Sequence, residues 1–442
     1  MNKARKFFLL LGDFLLLNLA LAATIFIRYR LVSQDPASLR EILAIHQGPF
    51  AIVFFLWLLC FYVGGLYRSL TLVNTRNFNR NALSVIATAS ILSVIFFYLR
   101  ASEITPKTTL FIFIVVFTII FLPWRRFYNI LLKSYLPKNK VIFIGESLSA
   151  IKLGQQLELS PQFGWKNEGF IASEDILKLG QIVQEKGIKT IILNDRLANE
   201  DAQQALFDCL KLKVNFYSFP HFYELVTGKI PVEEIDRSWF LENLNEGKRK
   251  YYNIFKKTYD LVGATLALTI SLPFWPIIAL LIYIDSRGPI FFTQRRLGEN
   301  EKVFKMLKFR TMKVAGNTGL MTAENDPRIT KIGNFLRKTR VDEIPQLLNI
   351  LKGDMSFIGP RPERPELVIK LAERVPFYKT RLLIKPGITG WDQVSGIYHS
   401  PSFEDTLEKL QYDLFYLKHR SPYLDLTIVL KTIATVLSKG GR

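Results

Sequence analysis

Cysteine and histidine are scarce: the 442-residue chain has two cysteines and four histidines. Cys60 lies inside an apolar run and Cys209 in a polar region. Two such residues build neither a disulfide framework nor a thiolate metal cluster, and four scattered histidines argue against a zinc site. This usage fits polar regions that face the cytosol. Acidic residues are also in short supply, 38 against 58 Lys and Arg, for a net charge of +20. A soluble domain so basic would point to nucleic acid. Here, however, 49% of residues are apolar and they are concentrated in blocks, which points to a membrane with Lys and Arg at its headgroups and excludes nucleic acid as the partner.

Four apolar blocks come first: Phe7–Ile27, Phe50–Tyr67, Ala82–Leu99 and Thr109–Trp124. Each approaches the roughly 20 residues that cross a bilayer, the fourth being the shortest. Ala20-Leu21-Ala22 resembles a signal-peptide cleavage site, but the apolar run continues past it and three more blocks follow. Lys3, Arg5 and Lys6 precede the first block, and Arg125, Arg126, Lys133, Lys138 and Lys140 follow the fourth. An even number of spans with both ends in the cytoplasm satisfies this bias, although Arg28, Arg30 and Arg40 then sit in an external loop. Asp13 falls within the first block, where an ionisable residue is either functional or a helix-packing contact. The packing contact is the expectation.

Beyond residue 138 the pattern changes. Short apolar runs at 140–145, 169–172 and 189–195 alternate with amphipathic segments, which predicts a small parallel α/β domain over 138–235. A dinucleotide loop needs several glycines so that backbone can approach phosphate. "GESLSAIK" offers only Gly145, so the domain is expected to be a degenerate Rossmann-like unit. Tyr252 and Lys256 form a Tyr-x-x-x-Lys pattern outside this domain, which we read as chance. Residues 236–250 read as a linker.

A fifth apolar block, 261–284, is long enough to span, yet it is basic on both sides. Lys248, Arg249, Lys250, Lys256 and Lys257 precede it, and Arg287, Arg295 and Arg296 follow. Pro273 and Pro276 interrupt its middle, and Ser271 can satisfy a freed backbone group. A helix that enters, breaks and returns to the same face accounts for all three facts better than a kinked span.

Residues 301–340 hold ten Lys and Arg against three acids. The adjacent carboxylates Asp342 and Glu343 follow at once. Thr339 three residues before Asp342 could cap a helix 342–352, leaving both acids as N-terminal dipole partners. Adjacent carboxylates also suit a divalent cation together with one free oxygen nucleophile, and surrounding arginines suit a phosphorylated substrate. Positive charge around Asp342 is expected to keep it ionised.

Residues 248–442 resemble the bacterial sugar transferase family, the monotopic polyprenyl-phosphate phosphoglycosyl transferases. The resemblance rests on "KKTYDLVGATLALTISLPFWPIIALLIYIDSRGPIFFTQRRLG", "FKMLKFRTM", "NDPRITKIGNFLRKTRVDEIPQLLNILKGDMSFIGPRPE", "IKPGITGWDQVSG" and "YDLFYLKHRSPYLDLTIVLKT". With the preceding regions, the chain is similar to the large members, such as the undecaprenyl-phosphate galactose or glucose phosphotransferases. That implies a four-span helical bundle (1–135), the Rossmann-like α/β domain (138–235), the linker (236–250) and an α-rich catalytic domain (251–442) with a re-entrant helix at 261–284.

The implied reaction moves a sugar-1-phosphate from a UDP-sugar to undecaprenyl phosphate, releases UMP, and initiates exopolysaccharide, capsule or O-antigen synthesis. The implied nucleophile is Asp342, which forms a phosphosugar–aspartyl intermediate, and Glu343 holds Mg²⁺. Lys308, Arg310, Arg337 and Arg361 would bind phosphate, and Asp425 would line the substrate site. Ser271 and Pro273 would form the helix break, Pro345 the helix start, and Pro360 and Pro362 the turn presenting Arg361. The implied setting is the bacterial inner membrane with the catalytic domain on its cytoplasmic face, among membrane lipids, and a homodimer is admitted. Two departures stand out: Ile397 where many members carry an arginine, and Asp392 in place of a small residue. A non-catalytic membrane scaffold and an NAD-dependent nucleotide-sugar modifying enzyme are the competing readings.

Overall fold

The computed structural model describes residues 3–32, 39–67, 76–99, 107–135, 138–160, 163–194, 200–244, 246–313, 326–395 and 402–437. Ile397 lies outside them. The chain separates into two compact units, Met1–Thr227 and Gly228–Arg442.

The first unit opens with four helices: α1 (Lys3–Phe26), α2 (Leu39–Val63), α3 (Arg76–Leu99) and α4 (Lys107–Tyr135). Each carries a segment long and apolar enough to cross a membrane. Consecutive helices α1–α2, α2–α3 and α3–α4 pack together, and α1 also packs on α4. The α2–α4 seam is aromatic. Phe113, Phe117 and Phe121 recur every fourth residue of α4 and meet Phe50, Phe54, Trp57 and Phe61 of α2 at centroid distances of 5.0–5.9 Å.

Asp13 is a packing contact. Its Oδ2 accepts from Arg125 Nη2 at 2.6 Å, with both side chains fully buried, and its Oδ1 accepts from Trp124 Nε1 at 3.2 Å. Arg125 also donates to the Leu66 carbonyl. The residue counted above as a flanking cation is therefore interior, and α4 runs well past Trp124 because that charge is answered inside the bundle.

The rest of this unit is a four-stranded parallel sheet in the order β2-β1-β3-β4. Its elements are β1 (Asn139–Ile144), α5 (Leu148–Leu159), β2 (Trp165–Ile171), α6 (Leu179–Lys186), β3 (Thr190–Leu193), α7 (Glu200–Cys209), β4 (Asn215–Ser218) and α8 (Phe219–Thr227). Strand β1 is central and its alternating residues feed two cores, Ile142 and Ile144 one and Val141 and Phe143 the other. The turn after β1 rests on Gly145 at φ +82°, and Ser147 caps α5 by accepting from Ala150 N–H. Strand β4 has no counterpart among the apolar runs read from the sequence. At four residues it is too short for its period to show.

In the second unit, the expected linker carries α9 (Arg237–Asn243), capped by Asp236. Trp239, Phe240 and Leu244 pack with Ile230 and Val232 on this unit's main core. Their apolar side chains are spaced irregularly, which is why the stretch reads as polar linker.

The fifth apolar segment is two helices, α10 (Lys250–Ser271) and α11 (Trp275–Asp285), joined by a 3-10 turn at Leu272–Phe274. Pro273 lies in the turn and Ser271 Oγ donates to the Leu268 carbonyl at 3.1 Å. A β-hairpin follows, β5 (Phe291–Leu297) and β6 (Val303–Phe309). Phe304 and Met306 of β6 pack with Ala264 of α10, while Phe309 packs with Ile282 of α11. Both arms of the broken helix thus rest on one hairpin. The unit continues with α12 (Lys331–Thr339), α13 (Leu347–Lys352), β7 (Ser356–Ile358), α14 (Pro365–Arg374), β8 (Gly387–Thr389), α15 (Trp391–Ser395), α16 (Phe403–His419) and α17 (Pro422–Leu437).

Candidate active site

The carboxylate pair sits on a 3-10 turn, Val341–Gln346, between α12 and α13. Thr339 does not cap it, since its hydroxyl donates backward to Phe335 and Leu336 carbonyls. Arg340 instead breaks the chain direction in the left-handed region, at φ +58°. That conformation costs a non-glycine residue roughly 1 kcal/mol, a cost functional sites often carry. Pro345 is buried inside the turn. The expected helix start at 342 is therefore a tighter turn that lifts both acids toward β6.

Glu343 is the centre of charge. Its Oε1 accepts from Lys308 Nζ at 2.8 Å and Arg361 Nη2 at 3.2 Å, with Arg340 Nη1 at 3.6 Å. Burial alone would raise its pKa, but Arg361, Lys308 and Arg340 outweigh burial and bring it to about 2. Asp342 differs. Its Oδ1 is buried with no hydrogen-bond partner, and burial raises its pKa against the pull of Lys308, with Glu343 raising it further. The positive charge thus falls mainly on Glu343. The three cations contact the neighbour's carboxylate, so their pull on Asp342, which favours its ionised form, works against the burial that raises its pKa.

Lys308 arrives on β6, where it pairs with Phe292 of β5. Arg361 arrives on the Gly359–Pro362 turn, which is held from several sides. Gly359 N–H donates to the Thr389 carbonyl and Gly387 N–H to the Pro360 carbonyl. The approach is so close that a Cβ on Gly359 would meet the Lys385 carbonyl oxygen at 2.3 Å. Arg381 donates to the Arg361 carbonyl at 3.0 Å, and Arg296 to the Pro362 carbonyl at 3.1 Å. Arg381 is itself buried and bound to Asp413 and Tyr378. Pro360 and Pro362 flank the residue they present.

The other expected site residues have contacts of their own. Arg337 donates to Thr311 Oγ1 at 2.8 Å, with Asp342 the foremost of the charges acting on it. Arg310 turns to Ser286, donating to its hydroxyl at 3.0 Å and to its carbonyl. Asp425 is buried in a different cluster. Its Oδ2 accepts from Tyr259 OH at 2.5 Å, Tyr252 OH at 2.8 Å and Lys256 Nζ at 3.4 Å, and its Oδ1 from Tyr416 OH at 2.8 Å. The Tyr-x-x-x-Lys pattern thus anchors α10 to α17. Asp392 is buried at the start of α15.

The cleft beside Glu343 is lined by Lys308 and Arg361, and also by Arg296 and Gln346. Sequence reasoning missed these two. The signal was available for Arg296: in the hairpin register it pairs with Phe304, four pairs along from Phe292–Lys308 and two from Gln294–Met306, so it shares the even-numbered face with Lys308.

No cluster of three or more His, Cys, Asp or Glu is present among the described residues. A hard cation that takes one or two carboxylates and completes its shell from substrate phosphates still fits the pair, because Asp342 Oδ1 has no partner in the protein.

The stretch of chain that carries these residues is shared with known proteins. Residues 251–439 match the family described as bacterial sugar transferase, a span that contains the carboxylate pair, β5–β6 and the Gly359–Pro362 turn. A UDP-N-acetylgalactosamine-undecaprenyl-phosphate N-acetylgalactosaminephosphotransferase of Aeromonas hydrophila is 35% identical over 250 residues, 56% of this chain and 58% of that protein. A UDP-glucose:undecaprenyl-phosphate glucose-1-phosphate transferase of Escherichia coli (strain K12) is 41% identical over 186 residues, 41% of this chain and 39% of that one. The chain therefore spans less than two thirds of either. An exopolysaccharide production protein of Rhizobium leguminosarum bv. phaseoli is 38% identical over 195 residues, 42% of this chain but 97% of that protein. With that protein matched nearly end to end, and the carboxylate pair inside the matched span, the chain belongs to the bacterial sugar transferase family.

Proposed function

We propose that the chain transfers a sugar-1-phosphate from a UDP-sugar to undecaprenyl phosphate, releasing UMP, as an initiating step of exopolysaccharide, capsule or O-antigen synthesis. The observation that carries this reading is the contrast within the carboxylate pair: Asp342 Oδ1 is buried and unpartnered, while Glu343 is bound by three cations. A carboxylate without hydrogen bonds is a stronger nucleophile than a solvated one. The relatives' printed substrates supply the reactants.

In the first step an Asp342 carboxylate oxygen bonds to the β-phosphorus of the UDP-sugar, and the bond from that phosphorus to the bridging oxygen breaks. UMP leaves with the electron pair. In the second step a phosphate oxygen of the polyprenyl phosphate attacks the phosphosugar–aspartyl anhydride and returns the Asp342 carboxylate. Lys308 and Arg361 face the cleft and would oppose the phosphates' charge, with Arg337 adding to the positive charge acting on Asp342. Mg²⁺, when bound, would be held by Glu343 next to the unpartnered Asp342 Oδ1 and would neutralise phosphate charge. Arg310 would act at one remove, through Ser286 at the end of α11, and Asp425 through the footing of α10.

The lipid substrate requires the site to sit at a bilayer surface, and the broken helix supports re-entry. Asp260, near the start of the apolar segment, accepts from Phe357 N–H at 3.1 Å, and Asp285 at its end accepts from Ile332 N–H at 2.8 Å. A straight helix would separate those residues by about 37 Å, at 1.5 Å per residue. Yet both are tied to one compact unit. The catalytic unit then lies on the cytoplasmic face of the inner membrane, with α1–α4 as four spans. The relatives' named sugars differ, so the donor is settled by assay.

The deciding experiment measures UMP release from a panel of UDP-sugars by full-length protein in detergent with Mg²⁺ and undecaprenyl phosphate. Release by wild type with one sugar preferred, and none by Asp342→Asn, is the expected result. Equal release by both proteins would remove Asp342 as nucleophile.

A further inference from the structure

The cleft beside Glu343 contains two donors that the protein does not answer. Gln346 is 2% exposed, lines the cleft, and its Nε2 is buried without a hydrogen-bond partner. It follows Glu343 by three residues in a 3-10 turn, where side chains three apart eclipse, so the two face the cleft together. Arg296 uses Nη1 on the Pro362 carbonyl and Nη2 on Gln294 Oε1 at 2.7 Å. Its Nε is buried and unpartnered.

Charge points the same way. Arg296, Lys308 and Arg361 line the cleft against the single lining carboxylate of Glu343, and Glu363, with Oε2 3.6 Å from Arg296 Nη1, is shared between Arg296 and Lys409. A net positive charge is left over. Buried donors without acceptors are costly unless a bound group answers them. A neutral amide N–H and a guanidinium N–H in a positive cleft call for a ligand that accepts only, is anionic, and offers several oxygens.

We propose that Arg296 and Gln346 form a phosphate subsite of this cleft, with Arg296 Nε and Gln346 Nε2 donating to non-bridging oxygens of a diphosphate ester. The assignment rests on reading the cleft as a phosphoryl-transfer site. It separates two tasks within one turn: Glu343 collects the surrounding cations, and Gln346 on the same face reads the ligand's oxygens without adding charge. The two arginines that hold the Gly359–Pro362 turn then differ in role. Arg381 is buried behind it, and Arg296 reaches through to the ligand.

The test uses the full-length protein in detergent micelles with inorganic pyrophosphate as probe, with and without Mg²⁺. Binding is followed by the pyrophosphate-dependent rise in melting temperature. Gln346→Leu is expected to weaken pyrophosphate binding by about tenfold or more, as for loss of a hydrogen bond to a charged group. Its ligand-free melting temperature is expected to equal or exceed that of wild type, because leucine removes an unanswered buried donor. Unchanged pyrophosphate affinity in Gln346→Leu overturns the subsite, and so does a lower ligand-free melting temperature, which would show that the amide has a partner in the fold. Should Gln346→Leu fail to fold, Arg296→Lys decides. It keeps the charge but loses the Nε–H, and tenfold weaker pyrophosphate binding supports the subsite while unchanged binding ends it. The probe carries no sugar or nucleoside, so the two readings fail separately. Glutamine-dependent pyrophosphate binding without UMP release defeats the transferase reading alone. UMP release with an unaltered KM in Gln346→Leu defeats the subsite alone.

Discussion

Lys308 Nζ lies 2.8 Å from Oε1 of Glu343, and with Arg361 and Arg340 it concentrates the site's positive charge on that one oxygen. Asp342, the adjacent residue, is left buried with an unpartnered Oδ1. Two neighbouring carboxylates thereby acquire opposite electrostatics, one pulled down to about 2 and the other raised by burial. Such divergence within a pair is how one fold assigns different tasks to identical groups.

For Asp342 the consequence is a conflict between activity and stability. A carboxyl whose folded pKa is raised is destabilised when ionised. The cost is absent well below its ordinary pKa, grows as pH rises past that value, and is fully present above the raised one. Asp342→Asn should therefore lose UMP release by about 10³-fold or more, yet melt higher than wild type at neutral pH. The stability difference should vanish below about pH 4. Equal melting temperatures at neutral pH would show that burial places no strain on the charge.

Glu343 should behave in the opposite sense. Its folded pKa is depressed from 4.5 to about 2, so the ionised form stabilises the fold fully above pH 4.5, and that contribution is lost as pH falls through 2. The shift corresponds to about 3 kcal/mol. Glu343→Gln should be less stable than wild type at pH 7, with the gap closing between pH 4.5 and 2 in denaturant or thermal titrations. A gap of the same size at pH 3 and pH 7 would assign its contribution to shape rather than charge.

Arg381 positions Arg361 without reaching the cleft's carboxylate: its guanidinium holds the Arg361 carbonyl, Asp413 and Tyr378 at once. Lysine keeps the charge but not the fork. Arg381→Lys is expected to lower kcat by roughly tenfold, the scale of a small misplacement of a binding group. In an Arg361→Gln background the same change should have little further effect on kcat. Additive losses would mean that Arg381 acts independently of the turn.

Re-entry of the broken helix is checked by labelling. Cys60 and Cys209 are both buried, so an introduced Arg287→Cys reports with low background. Arg287 is exposed just after α11. With both α10 and α11 based on the cytoplasmic side, a membrane-impermeant maleimide added to intact cells should leave Cys at 287 unmodified and should label it once the inner face is opened. Modification from outside would make 261–284 a crossing helix.

The sequence by itself determined the membrane character, the α/β alternation and the carboxylate pair in its basic setting, because each is local. Apolar run length, strand–helix alternation and adjacent acids are all read within a few tens of residues. It also located the break at Ser271–Pro273, since proline's missing donor acts where it stands. What only the tertiary structure decided is which charges meet. Lys308, Arg340 and Arg361 come from a strand, a left-handed residue and a turn, and their convergence on Glu343 rather than Asp342 depends on the direction of a 3-10 turn. The same holds for Asp425: the family resemblance of its C-terminal segment implied substrate contact, while only the fold shows three tyrosines and a lysine from α10 and α16 on its oxygens. Arg296 and Gln346 entered the cleft through hairpin register and helical turn. Burial, which sets the opposite pKa shifts of two adjacent acids, is a property of the packed surroundings and is written in neither residue alone.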